Sequence, residues 1–294
     1  MERRRIATAL PYFVICTIFF PLHLRLLYVL LTKSVIKNVQ CQRLVIYIQI
    51  ATCLITPYYV CLGLTIIFKH PLFGATLLTV SIVDPCIMVL VAFDLALAWN
   101  RLKAMFKITY PSWMFTAMIT FICLVGLTSF GIVLSPLAGY VLSDDMMTTA
   151  PNKQLPWERF RLDFQLDVEA LCTVSTFVCY VVIVVKLIYQ KLAVKSVKIQ
   201  IHEKPILLQA VLRFLGDLMI QINCRIQRYL NTSLDDQFMR LISQVADLAV
   251  LVIYVCLPAV SCIVLNRPQM SDDAVSGLRL KEKDVAGSFK LFLE

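Results

Sequence analysis

Charge is scarce in this chain. Asp, Glu, Lys and Arg make up only 16% of its 294 residues, against about 25% in an ordinary soluble domain. That is too little to cover a globule of this size with polar surface, so lipid must cover much of it. Glycine is also sparse, at 8 residues, and no glycine-rich phosphate loop occurs. Histidine is limited to His23, His70 and His202, which are far apart in sequence. No nucleophile motif accompanies them, so soluble enzyme chemistry has no support. The 11 cysteines form no CxxC pair. Most lie inside apolar runs, where Cys behaves as a small hydrophobe, so neither a disulfide framework nor a zinc site is expected.

Hydrophobic residues account for 59% of the chain, and they fall in long runs. The run from Ala75 to Trp113 is the clearest. It opens with about 26 mostly apolar residues, enough at ~1.5 Å per residue to cross a ~30 Å hydrocarbon core. It stops at Asn100-Arg101, with Lys103, Lys107 and Pro111 following. An apolar run cut off by cations is how a membrane helix meets the cytosol.

Six similar runs surround it. The first helix is expected from Ile6 to Leu31, the second over Leu44–Phe68, and the fourth over Met114–Val141 with Pro136 bending its end. Tyr140–Phe164 reads as the longest internal loop. The fifth helix is expected from about Leu166 to Tyr189, the sixth from Pro205 to Ile222, and the seventh over Leu241–Leu265. The chain therefore divides into a bundle, 1–266, and a polar flexible tail, 267–294. Ser271, Ser276 and Ser288 in that tail are candidate phosphorylation sites. The net charge of +9 lies between apolar runs and in the tail. Positive-inside bias accounts for it better than nucleic-acid binding, for which no aromatic-basic groove is present.

With the N-terminus outside, the inner loops carry Lys33, Lys37 and Arg43; Arg101, Lys103 and Lys107; and Lys186, Lys191, Lys195, Lys198 and Lys204. The outer loops carry fewer cations, although Arg3, Arg4 and Arg5 oppose the assignment. Asn231-Thr232-Ser233, the only N-glycosylation sequon, then falls on the lumenal side.

Several segments resemble the nematode serpentine chemoreceptors, a group of G-protein-coupled receptors. PLHLRLLYVLLTK followed by Cys41-Gln42-Arg43 resembles their first helix and inner loop. LALAWNRL resembles their variant of the Asp-Arg-Tyr motif, with Asn100 in place of Asp. LPAVSCIVLNR, residues 257–267, resembles the end of their seventh helix. The resemblance implies an all-α membrane protein, a seven-transmembrane bundle of rhodopsin-like architecture. It also implies a small-molecule ligand, a heterotrimeric G protein as partner, plasma-membrane residence and no cofactor. Asn100 and Arg101 would contact the G protein. There are departures. No Cys lies at the entry to helix three or in Tyr140–Phe164, so the disulfide common in the broad class cannot form. The Asn-Pro-x-x-Tyr motif is absent.

Ionisable groups deep in a bilayer are costly and need a partner, water or a function. Asp94 and Arg213 are expected to pair across helices three and six as a switch, with a local Arg213–Asp217 pair as the rival. Asp84 and Asp247 are ligand-pocket candidates. Each would serve as a counter-ion for a cation, a sodium site, or a hydrogen-bond partner for backbone freed by proline. Glu169 is a further candidate, with a solvated helix end as its plainer explanation. Lys191, Lys195 and Lys198 would face a G protein or anionic lipid, or simply satisfy the charge rule. The alternative function is a transporter using Asp84, Asp94, Asp217 and Asp247, although no paired interrupted helices support two repeats. An intramembrane aspartyl protease using Asp217 and Asp247 lacks both motifs of that class.

Overall fold

The computed structural model describes residues 2–32, 40–70, 74–108, 111–142, 149–152, 154–193, 214–222, 225 and 236–256. The long apolar runs become helices because a backbone in lipid must satisfy its own hydrogen bonds. These are α1 (Glu2–Thr32), α2 (Gln40–Phe68), α3 (Ala75–Phe106), α4 (Ser112–Leu134) and α5 (Glu158–Ala193). Helical residues 214–222 are α6, and α7 is Asp236–Leu251 continuing into a π-helical turn, Val252–Cys256. Five of the helices are long and apolar enough to span a bilayer.

Helix α3 is the hub, packing against α2, α4 and α5, while α1 packs on α2 and on the π turn. The core between α1, α2 and α3 is built on Tyr12, Ile55, Tyr59, Leu62, Leu90 and Phe93. Leu251 and Tyr254 of the last helix close it. Gly126 lets α4 approach α3 closely: a Cβ there would sit 2.4 Å from Val89 Cγ2. Helix α3 ends where Lys107 turns left-handed, at φ 53°. The Ile108 N–H then returns to the Lys103 carbonyl at 3.1 Å, a helix-terminating motif in which glycine is usual.

Two expected boundaries are corrected. The fourth helix stops at Leu134 and does not reach Val141. Pro136 forces Ser135 into extended backbone, φ −79° and ψ 162°, because the residue before proline clashes in the α region. Tyr140–Leu142 (β1) instead pairs antiparallel with Thr149–Pro151 (β2). The second correction concerns the supposed loop up to Phe164, whose last part is already helix from Glu158. Its charges mislead because they point inward. Glu158 and Arg161 are buried, while Trp157, Phe160 and Phe164 are exposed; Trp157 meets Phe160 edge-on and Phe160 stacks on Phe164, an aromatic patch of the kind found at a membrane interface.

Candidate functional site

A single face of α5 carries Glu158, Arg161, Gln165, Glu169, Thr173, Thr176 and Tyr180, at helical spacings of three and four. All are buried except Tyr180, which is half-buried. The file runs from the β-hairpin to the end of the bundle that holds Arg101, and three sites lie along it.

The first is at the hairpin end. Arg161 Nη1 donates to Asp84 Oδ2 on α3 and to Gln165 Oε1, both at 3.2 Å. Its Nη2 donates to Tyr140 Oη at 2.9 Å and to Glu158 Oε1. Its Nε donates to Glu158 Oε2 at 3.3 Å. A guanidinium has five N–H donors, and these contacts use all of them. Glu158 Oε2 also accepts from the Gly139 amide at 2.9 Å, which ties the hairpin approach to α5. Across the strands, Tyr58 Oη of α2 meets Thr149 Oγ1 at 2.9 Å. The hairpin is thus held to α2, α3 and α5 by buried polar contacts. Gln165 passes the connection on, its Nε2 donating to Glu169 Oε1 at 2.9 Å.

Glu169 is therefore not a solvated helix end. It is 6% exposed and faces the bundle, because the helix starts about two turns earlier than the charge pattern suggests. Asp84 has a defined partner in Arg161, yet its side chain keeps 22% exposure. Asp247 on α7 is half-buried.

The second site is in mid-bundle. Asp94 of α3 and Asp217 of α6 line one cavity of about 20 Å³, together with Val91, Thr173, Thr176, Tyr180 and Phe214. That volume suits about one water molecule. Tyr254 Oη donates to Asp217 Oδ1 at 2.8 Å, and Gln221 Nε2 donates to Thr173 Oγ1 at 3.1 Å. Asp94 and Asp217 thus line one cavity between α3 and α6. Arg213, the third member of the expected switch, lies outside the described residues.

The third site is the opposite end. Asn100 and Arg101 are half-buried, and Arg101 Nη1 donates to Tyr180 Oη at 3.4 Å. Asp94 stands seven residues earlier on the same helix, about two turns away. Lys191 is in the last turn of α5. Lys195, Lys198 and Asn231 lie outside the described residues.

Sequence reasoning missed Arg161, Glu158 and Gln165, although their spacing with Glu169 and Thr173 was a usable signal. It also missed His23. This side chain is fully buried, with Nε2 2.7 Å from the Val255 carbonyl and Nδ1 2.6 Å from Gln49 Oε1. Nε2–H donates to Val255. Turning the Gln49 amide lets its NH₂ donate to Nδ1, and the contact then needs no buried charge. The ring joins α1, α2 and the π turn.

Among the described residues no group of three or more His, Cys, Asp or Glu is placed to hold a metal. Cys16, Cys53, Cys61, Cys86, Cys123, Cys172, Cys179 and Cys256 are free thiols.

No protein-family model and no curated protein matches the sequence. The crystal structure of squid rhodopsin superposes on it with a TM-score of 0.74, covering 95% of this chain and 87% of that one at 9% identity. At that identity the likeness is one of fold, and the fold of this chain is the seven-transmembrane helix bundle of rhodopsin-like receptor architecture.

Proposed function

We propose that the protein is a G-protein-coupled chemosensory receptor of the nematode serpentine type, resident in the plasma membrane with its N-terminus outside. In this orientation the hairpin end faces out and receives a small molecule, while Arg101 faces the cytosol and a heterotrimeric G protein. The observation that carries the reading is the buried polar file on α5. It touches Asp84 through Arg161 at one end and Arg101 through Tyr180 at the other. Polar groups buried in a membrane bundle are held in discrete hydrogen-bonded arrangements. Ligand contact at one end can therefore select between arrangements at the other. The mid-bundle cavity between α3 and α6 is where such a rearrangement would separate the two helices, through the acids Asp94 and Asp217.

Roles follow for the other candidates. Asn100 sits beside Arg101 in the coupling surface. Lys191, Lys195 and Lys198 would extend it with positive charge, and Asn231 would be glycosylated on the outer side. The test is a chemical screen in cells that express the receptor with a promiscuous G protein. At least one compound should raise calcium, and Arg101→Ala should abolish that response while the protein still reaches the cell surface. A response that survives Arg101→Ala would remove the coupling role. The transporter alternative draws on the same buried acids. It predicts substrate or proton flux in vesicles that contain no G protein, a result the receptor reading does not allow.

A further inference from the structure

Five threonines in these helices settle their hydroxyls locally. Thr52, Thr56, Thr65, Thr79 and Thr128 each donate to the carbonyl four residues earlier, the ordinary way a helix absorbs a hydroxyl. Thr176 on α5 departs from this. The residue is 8% exposed, yet its Oγ1 has no hydrogen-bond partner among the described residues. A buried hydroxyl left unpaired costs free energy. Where protein atoms do not satisfy such a group, ordered water generally does.

Thr176 lines the mid-bundle cavity, and two acids from other helices line it too, Asp94 on α3 and Asp217 on α6. The volume of about 20 Å³ matches one water molecule. A carboxylate accepts in about four directions. The Tyr254 hydroxyl, 2.8 Å from Asp217 Oδ1, therefore leaves that side chain able to accept again. Two carboxylates and a hydroxyl are a poor set for a hard divalent cation, which takes about six oxygens. The volume leaves no room for waters to make up the number.

We propose that this cavity is a binding site for a single water molecule, which joins α3, α5 and α6. The Thr176 hydroxyl donates to the water oxygen, and the two water O–H groups donate to the carboxylates of Asp94 and Asp217. Donors and acceptors match: the site offers two acceptors and one donor, and a water supplies two donors and takes the third bond on its oxygen. An ordered buried water needs two to four polar partners, and this one has three. Thr176 thereby becomes the α5 member of the α3–α6 junction, and that junction opens by giving up water contacts rather than direct ones. The inference rests on neither ligand binding nor G-protein coupling.

The test uses Thr176→Val, which keeps the shape of the side chain and removes only the hydroxyl. Its sign is decisive. If the hydroxyl bonds a water held by two acids, Thr176→Val lowers the melting temperature of the purified full chain in lipid nanodiscs by about 2–4 °C. If the hydroxyl is unpaired, its removal relieves a buried polar group and the melting temperature rises. Thr128→Val is the control for the exchange itself, since that hydroxyl is exposed and bonds the backbone of its own helix. A crystal structure of the wild-type chain, at a resolution that shows ordered water, is the second readout and needs no variant. It should show a density peak within hydrogen-bond distance of Thr176 Oγ1 and of an oxygen of both Asp94 and Asp217. The proposal is overturned if Thr176→Val melts no lower than the wild type once the control is subtracted. It is also overturned if that peak is missing, or if the peak has the six short oxygen contacts of a metal ion. Neither readout contains a ligand or a G protein, so a failed signalling screen leaves the water standing, and a dry cavity leaves the receptor reading untouched.

Discussion

Asp84 and Arg161 are 77 positions apart in sequence and 3.2 Å apart in space, joining α3 to the first turn of α5 inside the bundle. Glu158 completes the group and carries the Gly139 amide with it. Many receptors of this architecture tie the corresponding loop to helix three with a disulfide, and this chain has no cysteines there. Here a largely buried charge cluster makes the connection.

Arg161→Met should destabilise the protein by about 3–5 kcal/mol, because it leaves the buried Glu158 and the half-buried Asp84 without their cation. The double variant Arg161→Met/Asp84→Leu should recover part of that loss, since one orphaned charge is gone. Thermal melting of both variants checks the sign. A double variant as unstable as the sum of its two single changes would show that the residues are not coupled.

His23→Phe should cost about 1–3 kcal/mol, by leaving the Val255 carbonyl and the Gln49 amide buried without partners. Adding Gln49→Leu should cost little more, since the ring has already been lost to both. Melting of the single and double variants measures this non-additivity.

Gly126→Ala should destabilise by about 1–3 kcal/mol through overpacking. The new methyl meets a β-branched Val89, whose stiff side chain cannot swing away. Gly126→Ala/Val89→Ala should relieve the clash, and a double variant no more stable than Gly126→Ala would contradict the close approach of α3 and α4.

Much of the bundle is legible in the sequence, because an apolar run of membrane length has essentially one stable form. The starts of α2 and α3 are within a few residues of expectation. The fourth helix was overextended because Val141 reads as apolar whether it lies in helix or strand, and only the backbone constraint from Pro136 separates the two. The first turn of α5 was lost for a different reason. Inside a membrane protein the usual rule inverts, and Glu158 and Arg161 point inward while Trp157 and Phe160 face out. Arg161 could be placed as a cation but not paired, since its partner Asp84 is on another helix. Asp94 and Asp217 line one cavity, whereas Arg213, the expected partner of either acid, lies outside the described residues.

Tyr180→Phe removes the hydroxyl that accepts from Arg101 at 3.4 Å. Since that contact is long, folding stability should change by less than about 1 kcal/mol. Basal and ligand-driven signalling should shift relative to each other, because Arg101 loses its tether. Equal dose–response curves for wild type and Tyr180→Phe would place the tether outside the switching mechanism.

The most direct measurement is the sidedness of the two termini in cells, read by antibody access to tags before and after permeabilisation. Seven spans with the hairpin outside predict an N-terminal tag reached in intact cells and a C-terminal tag reached only after permeabilisation. Both tags on one side would mean an even number of spans and would contradict the receptor account. An inside N-terminus with an outside C-terminus would put Arg101 on the wrong face for a G protein.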